Sequence, residues 1–184
     1  MTDMHTAPIL RSARVALRPM VLEDASVYYQ LHTDPKNTPF YDWVPESQAA
    51  ALESIRDIIS DYREGHYIHW ALEALPEKRL VGDLGIFIRD SKGEVNFLIG
   101  WEHAGKGLMS EALTALMAWA FEARQLVRVQ ALTMPENQSA NRMLARLGFT
   151  REGTLRQYGY DAVRGIYRDL VMWSYLRQEW RLKE

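Results

Sequence analysis

The sequence predicts a mixed α/β fold, in which helices pack on a mixed sheet. Two observations support this prediction. Several short stretches alternate apolar and polar residues with the period of a strand, whereas others repeat apolar residues with the period of a helix. Turn residues such as proline and glycine separate these stretches. Because no internal repeat or linker-like segment divides the chain, residues 1–184 are expected to form a single domain.

The first predicted elements are a strand and two helices. Alternation around Val15 and Leu17 predicts a strand over residues 14–19. Acidic residues begin a helix that runs over residues 23–31, and a loop with three prolines covers residues 33–45. A second helix follows over residues 47–63, and its apolar face consists of Ala51, Ile55, Ile58 and Ile59.

The rest of the chain alternates strands with two further helices. The predicted strands cover residues 67–74, 80–89, 94–101, 126–134, 150–157 and 167–176, and the predicted helices cover residues 109–124 and 138–147. Val127, Val129 and Ala131 alternate with polar residues, so they are expected on one face of their strand. Gly148 is expected to end the last helix. The final two strands are expected to pair as a hairpin across residues 158–165.

Composition and charge restrict the class of protein. A net charge of −2 gives no basic field that would favour nucleic acid as the main partner. The absence of cysteine excludes disulfides, a thiol nucleophile and a cysteine-based zinc site. His66 and His69 would lie on opposite faces of a strand, so no metal site is predicted. No apolar run has the length of a signal peptide or membrane span, so we expect a cytoplasmic protein without a membrane partner.

A glycine-rich segment lies between the strand at residues 94–101 and the helix at residues 109–124. Gly105 and Gly107 allow the backbone to turn tightly and to approach a ligand closely. The next helix directs its free N–H groups and positive dipole end at the segment, an arrangement that suits a pyrophosphate. A simple strand-to-helix turn is the alternative.

A nucleoside-triphosphate loop fits this segment less well. Gly100, Gly105 and Lys106 match all but the last position of the pattern G-x-x-x-x-G-K-[ST]. That position is Gly107, which has no hydroxyl group to hold magnesium. This interpretation is therefore disfavoured.

Short motifs follow one another in a distinctive order along nearly the whole chain. They are Leu17-Arg18-Pro19, Glu23-Asp24-Ala25, Val81-Gly82-Asp83-Leu84-Gly85-Ile86, Gly105-Lys106-Gly107-Leu108-Met109-Ser110-Glu111-Ala112-Leu113, Pro135-Glu136-Asn137, Leu147-Gly148-Phe149, Glu152-Gly153-Thr154-Leu155-Arg156, Asp169 and Glu179-Trp180. Together they resemble the GNAT superfamily of N-acetyltransferases, and specifically its RimJ/RimL-like branch, which acetylates ribosomal-protein N-termini among other amines. The resemblance implies a GNAT-like acyl-CoA N-acyltransferase fold, whose central, mostly antiparallel twisted sheet is flanked by helices.

The resemblance also implies that acetyl-CoA is the co-substrate and that no metal takes part. The family's pyrophosphate loop, [Q/R]-x-x-G-x-[G/A], falls on residues 104–109, and this chain departs from the pattern at Ala104 and Met109. The pantetheine arm is expected along the end of the preceding strand. Asn137 is expected beside the same arm, and helix capping is a compatible alternative. The implied cofactor-binding residues are Ile99, Gly100, Trp101, Ala104, Gly105, Lys106, Gly107, Leu108, Met109 and Asn137.

In this family the amine attacks the thioester directly, so the site needs a proton acceptor for the amine and a proton for the thiolate. Glu102 and Glu94 are the candidate bases, and solvated strand-end charges are the alternative for both. The family's tyrosine position falls on Leu144 and the branch's serine position on Ala140. The neighbouring Ser139 is therefore the candidate proton donor. Further candidates are Tyr158, Tyr160 and Tyr167.

The expected acceptor is the α-amine of a protein N-terminus, and a small amine such as a polyamine, an amino acid or an aminoglycoside is the alternative. A binding module that holds acetyl-CoA without turnover is the alternative from another class. A homodimer is left open, because Trp173 and Tyr175 would suit either a subunit interface or the core.

Overall fold

The structure is a computed structural model that describes residues 7–41, 43–62 and 64–181. Its strands are β1 (Leu10–Arg11), β2 (Val15–Pro19), β3 (Tyr67–Ala74), β4 (Arg79–Arg89), β5 (Lys92–Ile99), β6 (Arg128–Thr133), β7 (Thr150–Asp161) and β8 (Ile166–Leu176). Its helices are α1 (Ala25–Thr33), α2 (Gln48–Asp61), α3 (Leu108–Ala118), α4 (Gln138–Leu147) and α5 (Arg177–Arg181). The predicted order of elements is confirmed, and the short β1 and α5 are added at its two ends.

Across the described residues the strands form one sheet, in the order β1-β2-β3-β4-β5-β6-β8-β7. Every neighbouring pair is antiparallel except β5 and β6, which are parallel and are joined through α3. The expectation of a mixed, mostly antiparallel sheet with flanking helices is thus confirmed.

The parallel pair of strands separates part of the way along its length. Pairing between β5 and β6 covers Lys92 to Val95 on one strand and Arg128 to Ala131 on the other. Beyond this point β5 continues to Ile99 and β6 continues to Thr133 without pairing to each other. The separation opens a cleft inside the sheet, which matters for the site described below.

Helices cover both faces of the sheet, as two adjacent residues of β3 show. His69 reaches Asp83 of β4, which also contacts His32 of α1. The next residue, Trp70, packs edge-on against Trp119, which follows α3. Successive strand residues point to opposite faces, so α1 and α3 lie on opposite sides of the sheet. None of the helices within the described residues is long and apolar enough to cross a membrane.

The last hairpin is longer than expected. β7 extends to Asp161 and β8 begins at Ile166, so the turn occupies residues 162–165 rather than 158–165. The Asp161 side chain is buried and accepts hydrogen bonds from Arg164 Nη1 (2.8 Å) and Arg168 Nη1 (3.2 Å), which fix this turn. Trp173 and Tyr175 of β8 are buried within the chain itself, so of the two predicted roles the core role is the one observed.

The expected position of one side chain, that of Val127, was wrong. Val127 was expected on the same face as Val129 and Ala131, which are fully buried, yet it is 43% exposed. The strand begins only at Arg128, and the Val127 backbone bonds instead to Ser91 O (2.8 Å) and to Arg177 N (3.0 Å). Alternation places a side chain on the buried face only where the strand is continuous.

Candidate active site

The glycine-rich segment enters α3 through two left-handed backbone positions. Gly105 has a φ of 75° and Gly107 a φ of 81°, conformations that residues with a Cβ rarely adopt. Gly107 is the N-cap of α3, and no side chain caps this helix. The N–H groups of the first turn, including those of Leu108 and Met109, therefore remain available to a ligand. The helix dipole favours an anion at this position.

An ion pair that the sequence analysis missed holds this loop in place. Glu111 of α3 accepts hydrogen bonds from Ser12 Oγ (2.8 Å) and from the Arg14 guanidinium, and these bonds lower the pKa of Glu111. Arg14 Nη1 also donates to Lys106 O (3.0 Å). A positive charge therefore lies beside Gly107. Arg14 and Glu111 are 97 positions apart, and no local pattern connects residues at that distance.

A cavity of about 510 Å³ opens over this loop. Its wall includes every predicted cofactor-binding residue except Gly100, namely Ile99, Trp101, Ala104, Gly105, Lys106, Gly107, Leu108, Met109 and Asn137. We call it the first cavity. The positive side chains in its described wall are Lys36, Lys106 and Arg146, and this part of the wall contains no Asp or Glu.

The edge of β5 contributes backbone groups to the first cavity. The Gly100 N–H donates to Val81 O (2.8 Å) and the Trp101 N–H to Asn37 Oδ1 (2.7 Å), so both donors are already used within the chain. In an antiparallel ladder the neighbouring Ile99 then directs its N–H and C=O away from β4. These groups face the side on which β5 and β6 have separated. Of the three residues predicted to pair with an amide-containing arm, Ile99 is the one whose backbone has this orientation.

A second cavity, of about 590 Å³, lies on the α1 and α2 side of β5. Its wall contains four carboxylates, those of Asp57, Asp61, Asp83 and Glu94, and no Lys or Arg among the described residues. Aromatic side chains complete the wall, including Tyr28, Tyr41, Trp43 and Tyr67.

Two carboxylates of α2, Asp57 and Asp61, have no ion-pair partner among the described residues. Burial, together with repulsion from Glu64 and Asp57, raises the pKa of Asp61. A cation that entered the second cavity would relieve this repulsion.

The two cavities meet at a common wall. Phe40, Tyr41, Phe97, Asn137 and Ala140 line both of them. The Tyr41 hydroxyl donates to Phe97 O, which lies on the part of β5 that β6 has left. The two cavities are therefore adjacent at this wall.

The predicted catalytic residues occupy three different places. Glu94 lines the second cavity, where its Oε2 accepts a hydrogen bond from Gln130 Nε2 (2.7 Å), and Ser139 lines the first cavity. Glu102 lines neither cavity; its side chain is 57% exposed and lies 3.8 Å from Arg79. Leu144 is fully buried, so no polar group replaces the family's tyrosine there.

The three tyrosines of the last hairpin also lie apart from the cavities. Tyr158, Tyr160 and Tyr167 are each more than half exposed and line neither cavity. None of them is positioned to donate a proton at the common wall.

A buried cluster that the sequence analysis missed borders the second cavity. Asp83 accepts hydrogen bonds from His32 Nε2 (2.8 Å) and His69 Nε2 (2.9 Å). Burial raises the pKa of Asp83, but its electrostatic interaction with His32 and the hydrogen bonds from His32 and His69 more than offset this and hold its pKa below the usual range. The available signal was one aspartate inside an otherwise apolar strand. The described residues include no group of three or more His, Asp or Glu side chains placed to hold a metal ion.

Comparison with known proteins points to one family. A sequence model described as "Acetyltransferase (GNAT) domain" matches residues 14–150. The chain is 31% identical over 158 residues to the uncharacterized N-acetyltransferase YoaA of Bacillus subtilis, and the match covers 84% of this chain and 89% of the relative.

Relatives with named substrates differ from each other in the acceptor. The [ribosomal protein uS5]-alanine N-acetyltransferase of Escherichia coli is 31% identical, over 74% of this chain and 70% of the relative. The spermidine N(1)-acetyltransferase of Escherichia coli is 27% identical, over 85% of this chain and 83% of the relative. A solved structure of RimL, a ribosomal α-N-protein acetyltransferase in complex with coenzyme A, has a TM-score of 0.82 and 21% identity, covering 94% of this chain and 99% of that one.

Proposed function

Because the chain belongs to the GNAT family of N-acetyltransferases, we propose that it transfers acetyl from acetyl-CoA directly to a primary amine bound in the second cavity. The observation that carries this proposal is the separation of charge between two connected cavities. The first cavity is lined by positive side chains and the second by carboxylates, and they share a wall. An anionic donor and a cationic acceptor would each be attracted to its own side.

The first cavity suits acetyl-CoA in three respects. The uncapped N-terminus of α3 offers backbone N–H groups to the pyrophosphate. Lys106 and Arg146 supply positive charge for phosphate groups. The outward-facing backbone of Ile99 offers a donor and an acceptor to the amides of the pantetheine arm, as an added strand would use them.

The second cavity suits a small amine with more than one positive charge. A protein N-terminal α-amine, which the family resemblance favoured, brings a single charge to this cavity, whereas a di- or polyamine can pair with both Asp57 and Asp61. Aromatic rings such as Tyr41 and Trp43 also attract organic cations. The relative that acts on spermidine supports this choice, and the relative that acts on ribosomal protein uS5 keeps the α-amine as the second candidate.

The proposed reaction is a direct displacement at the common wall. The neutral amine nitrogen attacks the thioester carbonyl, the N–C bond forms and the C–S bond breaks, and the thiolate leaves without an acyl-enzyme. Holding both reactants together contributes on the order of 7–11 kcal/mol in well-oriented systems. Glu94 is a candidate acceptor for the amine proton on the acceptor side, and Ser139 is a candidate donor to the thiolate on the donor side.

The test is thiol release from acetyl-CoA with polyamines, aminoglycosides and N-terminal peptides as acceptors, together with calorimetric titration of acetyl-CoA. We expect polycationic amines to react fastest. Turnover confined to peptides would reject the small-amine acceptor. Binding of acetyl-CoA without turnover on any amine would indicate a non-catalytic module, and absence of binding would reject the donor site.

Substitutions on α2 test the acceptor cavity itself. The double change Asp57→Asn and Asp61→Asn should raise KM for a polyamine about tenfold while the acetyl-CoA Kd stays unchanged, because one to two ionic contacts are lost. Glu53→Gln is the matched control, since Glu53 lies on the same helix, is exposed and does not line the cavity. An equal effect of the control would show that only the general charge of α2 matters.

A further inference from the structure

The second cavity is bordered by a carboxylate that is buried between two imidazoles. His32, Asp83 and His69 are 4%, 3% and 4% exposed. Burying three such groups is unfavourable unless each is hydrogen-bonded. An apolar side chain at each of these positions would complete the core at lower cost, so packing alone does not explain the cluster.

The hydrogen bonds show which nitrogen of each imidazole carries a proton. Each ring directs Nε2 at a different oxygen of Asp83, at 2.8 Å for His32 and 2.9 Å for His69. A carboxylate only accepts, so Nε2 of each ring carries the proton. In the neutral ring Nδ1 is then left with a lone pair, which makes it a hydrogen-bond acceptor.

The two Nδ1 atoms differ in what they contact. His69 Nδ1 is hydrogen-bonded to the Tyr67 hydroxyl, which also receives a bond from Asn96 Nδ2 (3.2 Å). His32 Nδ1 is buried and has no hydrogen-bond partner among the described residues. One imidazole is therefore satisfied by the protein, whereas the other keeps an unused acceptor.

His32 lies at the wall of the acceptor cavity, next to the wall that the two cavities share. Its ring stacks on Tyr28 with centroids 4.1 Å apart and meets the edge of Tyr41 at 5.7 Å. Tyr41 lines both cavities. The His32 ring is thus in contact with a residue of the common wall, where donor and amine would meet.

We propose that His32 Nδ1 accepts the proton that the acceptor amine loses, and that Asp83 and His69 position it. The inference rests on the proposed function, because it requires an amine in the second cavity. Asp83 holds the His32 ring in one orientation and one tautomer, and its negative charge stabilises the imidazolium that forms. His69 and Tyr67 hold the other side of the carboxylate.

The protons balance in the following way. The acceptor enters as an ammonium ion, and one of its protons passes to His32 Nδ1, which leaves the neutral amine. As the amine nitrogen bonds to the acetyl carbon, the C–S electron pair leaves with the thiolate and the second N–H proton passes to water. The thiolate takes a proton from water, and His32 later returns its proton to water. The net change is one proton moved from nitrogen to sulfur and one proton released to water.

Several other ionisable groups of the surrounding elements contact the His32 ring or line the same cavity. They are Tyr28 on α1, Tyr41 in the following loop, Asp57 and Asp61 on α2, Tyr67 and His69 on β3, Asp83 on β4 and Glu94 on β5. Glu94 is the rival proton acceptor, so its variant belongs in the same experiment.

The test compares His32→Gln with His69→Gln, using the best amine found for the wild-type enzyme. General base catalysis contributes roughly 10²–10⁴-fold, so His32→Gln should lower kcat/KM at pH 7 by at least about 100-fold. His69→Gln should lower it less than about tenfold. The loss of kcat/KM in His32→Gln should become smaller as pH rises towards the pKa of the amine, because the amine is then already neutral and needs no base.

Added imidazole gives a readout that a structural role would not change. It should restore part of the activity of His32→Ala and none of that of His69→Ala. Equal losses in both histidine variants with unchanged pH profiles would overturn the proposal, and so would a loss confined to Glu94→Gln.

Failure of this proposal differs from failure of the proposed function. An acetyl-CoA Kd and a thermal midpoint within the wild-type range show that each variant is folded and binds its donor. If the wild-type enzyme turns over amines while His32→Gln remains as active, only the role of His32 is wrong. If the wild-type enzyme turns over no amine, the proposed function itself is wrong.

Discussion

At Gly107 the backbone conformation and the ligand site depend on the same missing side chain. Its φ of 81° is unfavourable for residues with a Cβ, by roughly 1–2 kcal/mol. A Cβ there would lie 3.2 Å from Arg14 Nη2 and beside the free N–H groups of α3. The residue is required for the turn, and under the proposed function it also permits the close approach of a phosphate.

We expect Gly107→Val to lower acetyl-CoA affinity by more than about tenfold, because the new side chain blocks the approach to the helix N-terminus. Gly165→Val is the matched control. Gly165 also has a positive φ, of 67°, but lies in the β7–β8 turn with nothing within 4 Å of its Cβ position. Calorimetry on both variants separates backbone strain, which they share, from loss of the site. A normal Kd for Gly107→Val would show that the phosphates bind elsewhere.

At the scale of a single element, α4 combines a structural cap with a place in both cavities. Asn137 Oδ1 accepts the Ala140 N–H (3.1 Å) and caps the helix, and Gly148 ends it in the left-handed conformation with a φ of 95°. Both ends had been expected from the sequence. The Asn137 side chain also lines the common wall, which leaves its Nδ2 available to a bound ligand.

Two substitutions separate these roles. Asn137→Ala should lower the free energy of unfolding by about 1 kcal/mol because the cap is lost, and it should also weaken acetyl-CoA binding. Asn137→Ser should keep the free energy of unfolding unchanged, since serine caps equally well, but should still weaken acetyl-CoA binding. Urea unfolding and calorimetry check the two quantities. Full affinity in Asn137→Ser would limit this residue to capping.

At the scale of the whole molecule, one carboxylate connects the three strands at the far end of the sheet. Glu152 of β7 accepts two hydrogen bonds from Arg128 of β6, at 2.6 and 2.7 Å, and one from Ser174 of β8 at 2.6 Å. The hydrogen bonds from Arg128 and then Ser174 lower the pKa of Glu152 to about 2. Solvent screens the contribution of the Glu152–Arg128 ion pair to stability, because the Glu152 side chain is 40% exposed.

This pKa predicts a dependence of stability on pH. The pKa of Glu152 in the folded protein lies below its unfolded value of 4.5. The stabilisation by the ionised Glu152 is therefore complete above about pH 4.5 and is lost as pH falls towards 2. Glu152→Gln should therefore lose less unfolding free energy between pH 6 and pH 3 than the wild-type protein does. Urea titrations at both pH values measure the difference. The same loss in both proteins would contradict the assigned ion pair.

The sequence by itself determined the secondary-structure elements and the loop that forms the proposed donor site. Strands and helices followed from periodicity, the ends of α4 from Asn137 and Gly148, and the phosphate loop from Gly105 and Gly107. These are local properties, since the groups that interact are separated by only a few residues. They could be predicted because backbone geometry and hydrogen bonding within a turn depend mainly on the residues of that turn.

Only the tertiary structure decided which residues line the proposed acceptor cavity. It placed Glu94 in the second cavity and Glu102 outside both, although the two lie close together in the sequence. It brought His32 from α1 and His69 from β3 to the same carboxylate of Asp83, and Arg14 to Glu111. Contacts of this kind depend on strand order, on the separation of β5 from β6 and on helix packing. No pattern along the chain encodes distances between residues that meet only when the sheet has formed.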